Sequence, residues 1–148
     1  MADRSDILLE YWRDQRTQAR NTESQRAVLA NLVLLIAAAI LGLVAQAGIK
    51  KADAILTLLL VLLGLLGAMA SAKYYERYNL HIGQAVRFSS LLSSSDAQTD
   101  YEAILAPVRD SHAEEYRILS RVRLNKLWLT IHILIALAGC GLTAAILV

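Results

Sequence analysis

AVLANLVLLIAAAILGLVAQAGI (27–49), KKAD (50–53) and AILTLLLVLLGLLGAMASA (54–72) decide the fold. Each apolar run is long enough to cross a bilayer, because about 20 helical residues span ~30 Å of hydrocarbon. No charge falls between Ala27 and Ile49, nor between Ala54 and Ala72. Two core helices of a soluble protein would need polar faces, and leucine, alanine and valine occupy every side of these. The break between them holds Gly48, Lys50, Lys51 and Asp53, so the helices return antiparallel. The stretch predicts an all-α membrane protein organised on a transmembrane hairpin, 27–72.

Composition agrees. A chain of 148 residues with 56% hydrophobic content is too apolar for an ordinary small soluble domain. Its charges collect in 1–26 and 73–126, with a minor group at 50–53. A net charge of +2 gives no case for bulk nucleic-acid binding. Cys140 is the only cysteine, so no intrachain disulfide forms, and its expected role is a small packing residue. The first apolar run starts at residue 27 and is far longer than the core of a cleaved signal peptide. It is expected to remain as a signal anchor.

A third membrane-length run, LWLTIHILIALAGCGLTAAILV, fills 127–148, with Lys126 and Trp128 as an interface anchor. Lysine and arginine number five in 1–26, two in the connector, eight in 73–126 and none beyond. The positive-inside rule then places 1–26 and 73–126 in the cytoplasm and the connector and Val148 outside. The expected fold class is three transmembrane helices per chain with a cytoplasmic helical hairpin, assembling as a homo-oligomer. A two-span alternative makes 127–148 a buried or re-entrant helix.

The segment DILLEYWRDQRTQARNTESQR (6–26) reads as an amphipathic helix with Ile7, Leu8, Tyr11 and Trp12 on one face. Thr22 and Gln25 carry capping-box spacing, so the first span is expected to start afresh there. The segment suits either an amphipathic foot on the membrane or a short oligomer-packing helix. Within the spans, Asn31, Gln46, Thr57, Thr130 and His132 are the polar candidates for interhelical contacts or a pore lining.

In KYYERYNLHIGQAVRFSSLL (73–92), Tyr74, Tyr78, Ile82, Ala85, Phe88 and Leu92 form one apolar stripe facing a partner. Ser93, Ser94, Ser95 and Asp96 predict a turn. Capping-box spacings at Ser95–Gln98, Thr99–Glu102 and Ser111–Glu114 predict new helix starts. Pro107 either kinks the second of these helices or stands in the first turn of a successor. From there EEYRILSRVRLNKLW (114–128) is expected to run into the third span, with Tyr116, Leu119 and Val122 on one face.

Little in this chain reads as catalysis. His81, His112 and His132 are isolated from one another and from Cys140 at metal-ligand spacing, so no zinc site or other metal is expected. There is no phosphate loop, Ser–His–Asp pattern or nucleophile elbow. Glu114 and Glu115 are adjacent, hence on different faces of a helix, and make no acid–base pair. An enzyme is not expected, and no cofactor is called for. Arg77, Arg117 and Arg121, with Tyr74 and Tyr78, allow two readings. They are topology determinants touching lipid headgroups, or an anion site in which arginines hold phosphate and tyrosines stack a base.

With 68–87 reading AMASAKYYERYNLHIGQAVR and 112–124 reading HAEEYRILSRVRL, the chain resembles the SLATT family of small bacterial membrane effectors. The likeness covers roughly 8 to 126 and rests on pattern and helix order. That family is usually described with two membrane helices, and a third at 127–148 departs from it. The resemblance implies a pore-forming effector of anti-phage defence in the bacterial inner (cytoplasmic) membrane. It would open on a nucleotide second messenger made by a partner nucleotidyltransferase, disrupt the membrane and halt an infected cell. Three spans cannot enclose a pore, so a channel needs several copies, such as a tetramer, around an axis. Small-xxx-small pairs at Ala38/Gly42, Gly64/Ala68 and Gly141/Ala145 would let helices touch. The rival readings are a non-conducting membrane scaffold that docks a cytoplasmic partner and a holin-like lysis protein. The long polar segment 73–126 argues against the holin.

Overall fold

A computed structural model describes residues 3–47, 50–95 and 101–148. Among them the chain is helical throughout: α1 (Arg4–Ala47), a 3-10 turn (Lys51–Asp53), α2 (Ala54–Ser95), α3 (Tyr101–Glu115), a second 3-10 turn (Leu119–Arg121) and α4 (Leu124–Leu147). Three of these helices are long and apolar enough to cross a membrane: α1, α2 and α4. The chain divides into two compact units. An apolar unit comprises Glu23–Tyr75 and Leu124–Val148, and a polar unit comprises Met1–Thr22 and Glu76–Arg123.

In the apolar unit, Ala30, Val33, Ala37, Ile40 and Val44 recur at three and four along α1 and are buried, as a single helical stripe must be. They pack with Leu60 of α2 and Ile135 of α4, flanked by Leu56, Leu63, Ile131 and Leu142. The opposite faces carry exposed leucines, among them Leu35, Leu62, Leu66 and Leu134, each more than half exposed. An apolar outside of that extent needs lipid or another protein against it.

The tightest helix contact is between α2 and α4. A Cβ built on Gly64 would lie 2.5 Å from the Ala136 nitrogen, and one on Gly139 2.7 Å from the Val61 nitrogen. Only glycine lets the two backbones approach so closely. Gly67 meets the His132 ring in the same way. As α2 numbers rise from Thr57 to Gly67, their α4 partners fall from Thr143 to His132, so the two helices run antiparallel. The small-residue contacts therefore fall at Gly64, Gly67 and Gly139. Gly42 and Gly141 face open space, and Ala38 and Ala145 are exposed. At the connector, the Lys50 amide donates to the Asp53 carboxylate (3.0 Å) and the Asp53 amide to the Lys50 carbonyl (2.9 Å).

In the polar unit, the first turns of α1 lie against the last part of α2. Tyr11 stacks on Phe88 with ring centroids 5.6 Å apart, and His81 Nδ1 hydrogen-bonds Gln15 Oε1 at 2.8 Å. Ala19 and Ala85 are buried. The expected stripe on α2 holds: Tyr78, Ile82, Phe88 and Leu92 are half-buried around Ala85, with Tyr74 half-buried in the apolar unit. The face expected on α1 is shifted. Leu8 and Trp12 are half-buried, whereas Ile7 and Tyr11 are largely exposed.

Four expected boundaries are corrected. The helix does not restart at Thr22, because the Thr22 hydroxyl donates to the Gln18 carbonyl one turn back (2.8 Å) instead of capping a new helix. Ser93 and Ser94 are helical, with their hydroxyls turned back onto the Ser89 and Leu91 carbonyls, so no turn forms there. The starts expected at Ser95–Gln98 and Thr99–Glu102 involve residues outside those described. Ser111 lies inside α3, as does Pro107, so neither begins a helix. Finally, 116–123 is not a helix running into the third span. It is a turn and a 3-10 segment with Tyr116, Leu119 and Val122 exposed, and a helix with no face to bury has little to hold it.

Candidate functional site

Two groups of polar residues stand out: a buried set in the apolar unit, and the anion candidates, most of which belong to the polar unit. In the apolar unit, Arg26 is 2% exposed although it carries a full charge. It sits where the polar sequence gives way to the first apolar run. Its guanidinium pairs with Glu23 at 2.9 Å, one turn back on α1, and donates to Asn125 Oδ1 of α4 at 3.4 Å. The guanidinium carbon also lies 5.8 Å from the centre of the Trp128 ring. A buried charge needs a counter-ion and hydrogen bonds, and this one has a partly exposed carboxylate, an amide and an aromatic face. The cluster thus ties α1 to α4 at the end of the unit that also holds Lys73 and Lys126.

Of the polar candidates in the spans, the structure separates two classes. Thr57 and His132 are fully buried. Thr143 donates to Thr57 at 2.8 Å, and each hydroxyl also contacts its own helix, so α2 and α4 are stitched at the end near the connector. His132 packs against Gly67 with neither ring nitrogen hydrogen-bonded. Asn31, Gln46 and Thr130 are exposed on the outside of the unit. On α1, Asn31, Leu35, Ala38, Gly42 and Gln46 recur at three and four and share the face opposite the buried stripe. On α4, Thr130, Leu134, Ala138, Gly141 and Ala145 form a similar exposed stripe.

The anion candidates divide between the units: Tyr74 belongs to the apolar unit, and Tyr78, Arg77, Arg117 and Arg121 to the polar unit. Arg77, Arg117 and Arg121 are exposed, and their guanidinium groups make no hydrogen bond or ion pair among the described residues. Tyr74 and Tyr78 are half-buried in the α2 stripe. Arg117 precedes and Arg121 ends the second 3-10 turn, where the Ser120 hydroxyl donates to the Arg117 carbonyl. Residues 109–124 are exposed without interruption.

Sequence reasoning missed Arg26, Ser71, Gly67 and Gly139. The Glu23–Arg26 spacing of three was a signal, since it places a carboxylate one turn from the first cation at the membrane edge. The described residues contain no group of three or more histidine, cysteine, aspartate or glutamate side chains placed to hold a metal ion. No family model, no curated protein and no solved structure matches the chain.

Proposed function

We propose that the chain is a membrane effector whose copies assemble into an ion channel opened by a cytoplasmic nucleotide signal, with arrest of an infected bacterium as the result. The observation that carries this reading is the pair of outward stripes on the apolar unit. Asn31, Ala38, Gly42 and Gln46 on α1, and Thr130, Ala138, Gly141 and Ala145 on α4, combine small residues with amides and a hydroxyl. Small residues let membrane helices approach, and an amide in hydrocarbon gains about 0.6 kcal/mol or more by finding a partner on a neighbouring helix. Two different stripes on one chain favour head-to-tail association, which closes into rings such as a tetramer. A pore lined by such helices carries no charged ring and closes by dewetting, which suits a protein that stays silent until triggered.

In this reading, 1–26 and 73–126 face the cytoplasm of the inner membrane and Val148 lies outside, following the distribution of lysine and arginine. The exposed Arg77, Arg117 and Arg121 receive the phosphates of the signal, and Tyr74 and Tyr78 lie beside Arg77 in sequence. The resemblance to SLATT effectors supports the nucleotide and the defence setting. The test is ion flux from liposomes holding the purified protein, with and without cyclic and linear oligonucleotides. Flux only with nucleotide supports the gated channel. Constitutive flux replaces nucleotide gating by a protein partner that holds the pore shut. No flux under any condition overturns the channel in favour of a non-conducting scaffold, the reading that the continuously exposed 109–124 segment favours as a docking surface.

A further inference from the structure

Arg26 Nε, Ser71 Oγ, Trp128 Nε1 and both ring nitrogens of His132 are buried and make no hydrogen bond. Arg26, Ser71 and His132 are each no more than 2% exposed. Helix register aligns these atoms in one file. Gly67 lies against the His132 ring. Ser71 follows Gly67 by one turn on the same face of α2, and Trp128 precedes His132 by one turn on the same face of α4. Because α2 and α4 run antiparallel, that register brings Ser71 to the level of Trp128. Arg26 lies over the Trp128 ring, and its partner Glu23 is about a third exposed and reaches solvent.

The chemistry of the file selects its ligand. Arg26 Nε and Trp128 Nε1 only donate, the Ser71 hydroxyl donates and accepts, and a neutral imidazole offers one donor and one acceptor. A cation is excluded beside Arg26. An anion is disfavoured because the Glu23 carboxylate already sits 2.9 Å from the guanidinium. Water both donates and accepts, and buried polar groups without protein partners are its usual site. Beyond His132 along α4, Ile135 and Ala136 are buried and apolar, and Ala136 meets Gly64 of α2.

We propose that this file is a water-binding site that opens beside the Glu23–Arg26 pair and ends on His132, which exchanges protons with the water there. The charged and titratable groups near it are Glu23 and Arg26 on α1, Tyr74 and Tyr75 one turn beyond Ser71 on α2, Lys73 two residues beyond Ser71 on a different face of α2, and Lys126 on α4 itself. The faces of α2 that meet His132, at Gly64 and Gly67, add none. The proposal is independent of whether the assembled chain conducts.

The experiment uses full-length protein in nanodiscs with 15N-labelled histidine, His132 being assigned by loss of its signals in His132→Gln. Ring nitrogen shifts are followed from about pH 4 to about pH 9, which brackets ordinary imidazole titration, and ring exchange into D2O is timed. The expected result is that His132 titrates and exchanges on the timescale of the exposed His112, and that Ser71→Val, which fills the file with a methyl group, slows His132 exchange by about tenfold or more relative to His112. His132 shifts that stay constant across the range with exchange as slow as core amides overturn the proposal. So does rapid exchange that Ser71→Val leaves unchanged while the helical spectrum is intact, because water would then arrive by another route.

Discussion

Replacing Gly64 by alanine tests the backbone contact on which the apolar unit rests. The added methyl carbon would lie 2.5 Å from the Ala136 nitrogen, 2.7 Å from the His132 carbonyl oxygen and 2.8 Å from the Ala136 Cα. All three are main-chain atoms, so no rotamer change relieves the clash. Ordinary contact begins at 3.4 Å, so α4 must retreat by roughly 0.9 Å along the closest approach. A gap of ~0.5–1 Å forfeits a quarter to a half of each dispersion contact it opens, and overpacking of this kind costs about 1–3 kcal/mol. Alanine's better helix propensity returns up to about 1 kcal/mol. Gly42→Ala is the control, because nothing lies within 4 Å of its Cβ position and the propensity gain is the same in kind. The difference between the two variants therefore isolates the steric term, expected at about 1–3 kcal/mol in favour of Gly42→Ala. The assay is SDS-driven unfolding in mixed micelles followed by far-UV ellipticity. Equal stability of the two variants, within about 0.5 kcal/mol, would refute the close α2–α4 contact.

Other outcomes follow from single contacts. Glu23→Gln leaves the buried Arg26 guanidinium without its carboxylate at 2.9 Å and is expected to destabilise the apolar unit by about 1–3 kcal/mol in the same unfolding assay. Thr143→Val removes the 2.8 Å bond to Thr57 and should cost only about 0.6 kcal/mol, since membrane hydrogen bonds average that much. Phe88→Ala deletes the ring stacked on Tyr11, a pairing worth about 0.5–1.5 kcal/mol beyond its burial, and should loosen residues 4–20 in amide exchange. Pro107→Ala restores an amide inside α3 and relieves an interior proline penalty of about 3 kcal/mol, so exchange across 101–115 should slow.

How much of this was legible in the sequence depended on the physics behind each feature. The three apolar helices were, because unbroken leucine, alanine and valine over a bilayer's width has few other fates. The Tyr78–Leu92 stripe was, because its spacing of three and four is set by helix geometry. The start at Thr22 misled, because a threonine hydroxyl can also satisfy a carbonyl inside a helix and nothing in 4–47 interrupts α1; Ser111 likewise lies within α3. The segment 116–123 misled for another reason. Its apolar residues have helical spacing, but a stripe becomes a helix face only when something covers it. The glycine contacts were half legible: Gly64 was marked by spacing, while Gly67 and Gly139 depend on which faces of α2 and α4 meet.

The same physics links the inside of the apolar unit to its outside. Between apolar helices in lipid, burial supplies almost no net attraction, because the lipid is as apolar as the leucines it replaces. What remains is close approach and polar pairing. Inside the unit these are Gly64, Gly67 and Gly139, the Thr57–Thr143 bond, and Arg26 with Glu23, Asn125 and Trp128. Outside it, Gly42 and Gly141 face open space, and Asn31, Gln46 and Thr130 are polar groups left uncovered by this one chain. On the reading proposed above, a neighbouring copy covers these outward faces. Valine at Gly42 and at Gly141 fills that space without touching the interior, so it should lower the oligomer mass seen in light scattering while leaving unfolding of the single chain unchanged. If the mass is the same with both valines in place, the outward stripes face only lipid and the proposed assembly through them is refuted.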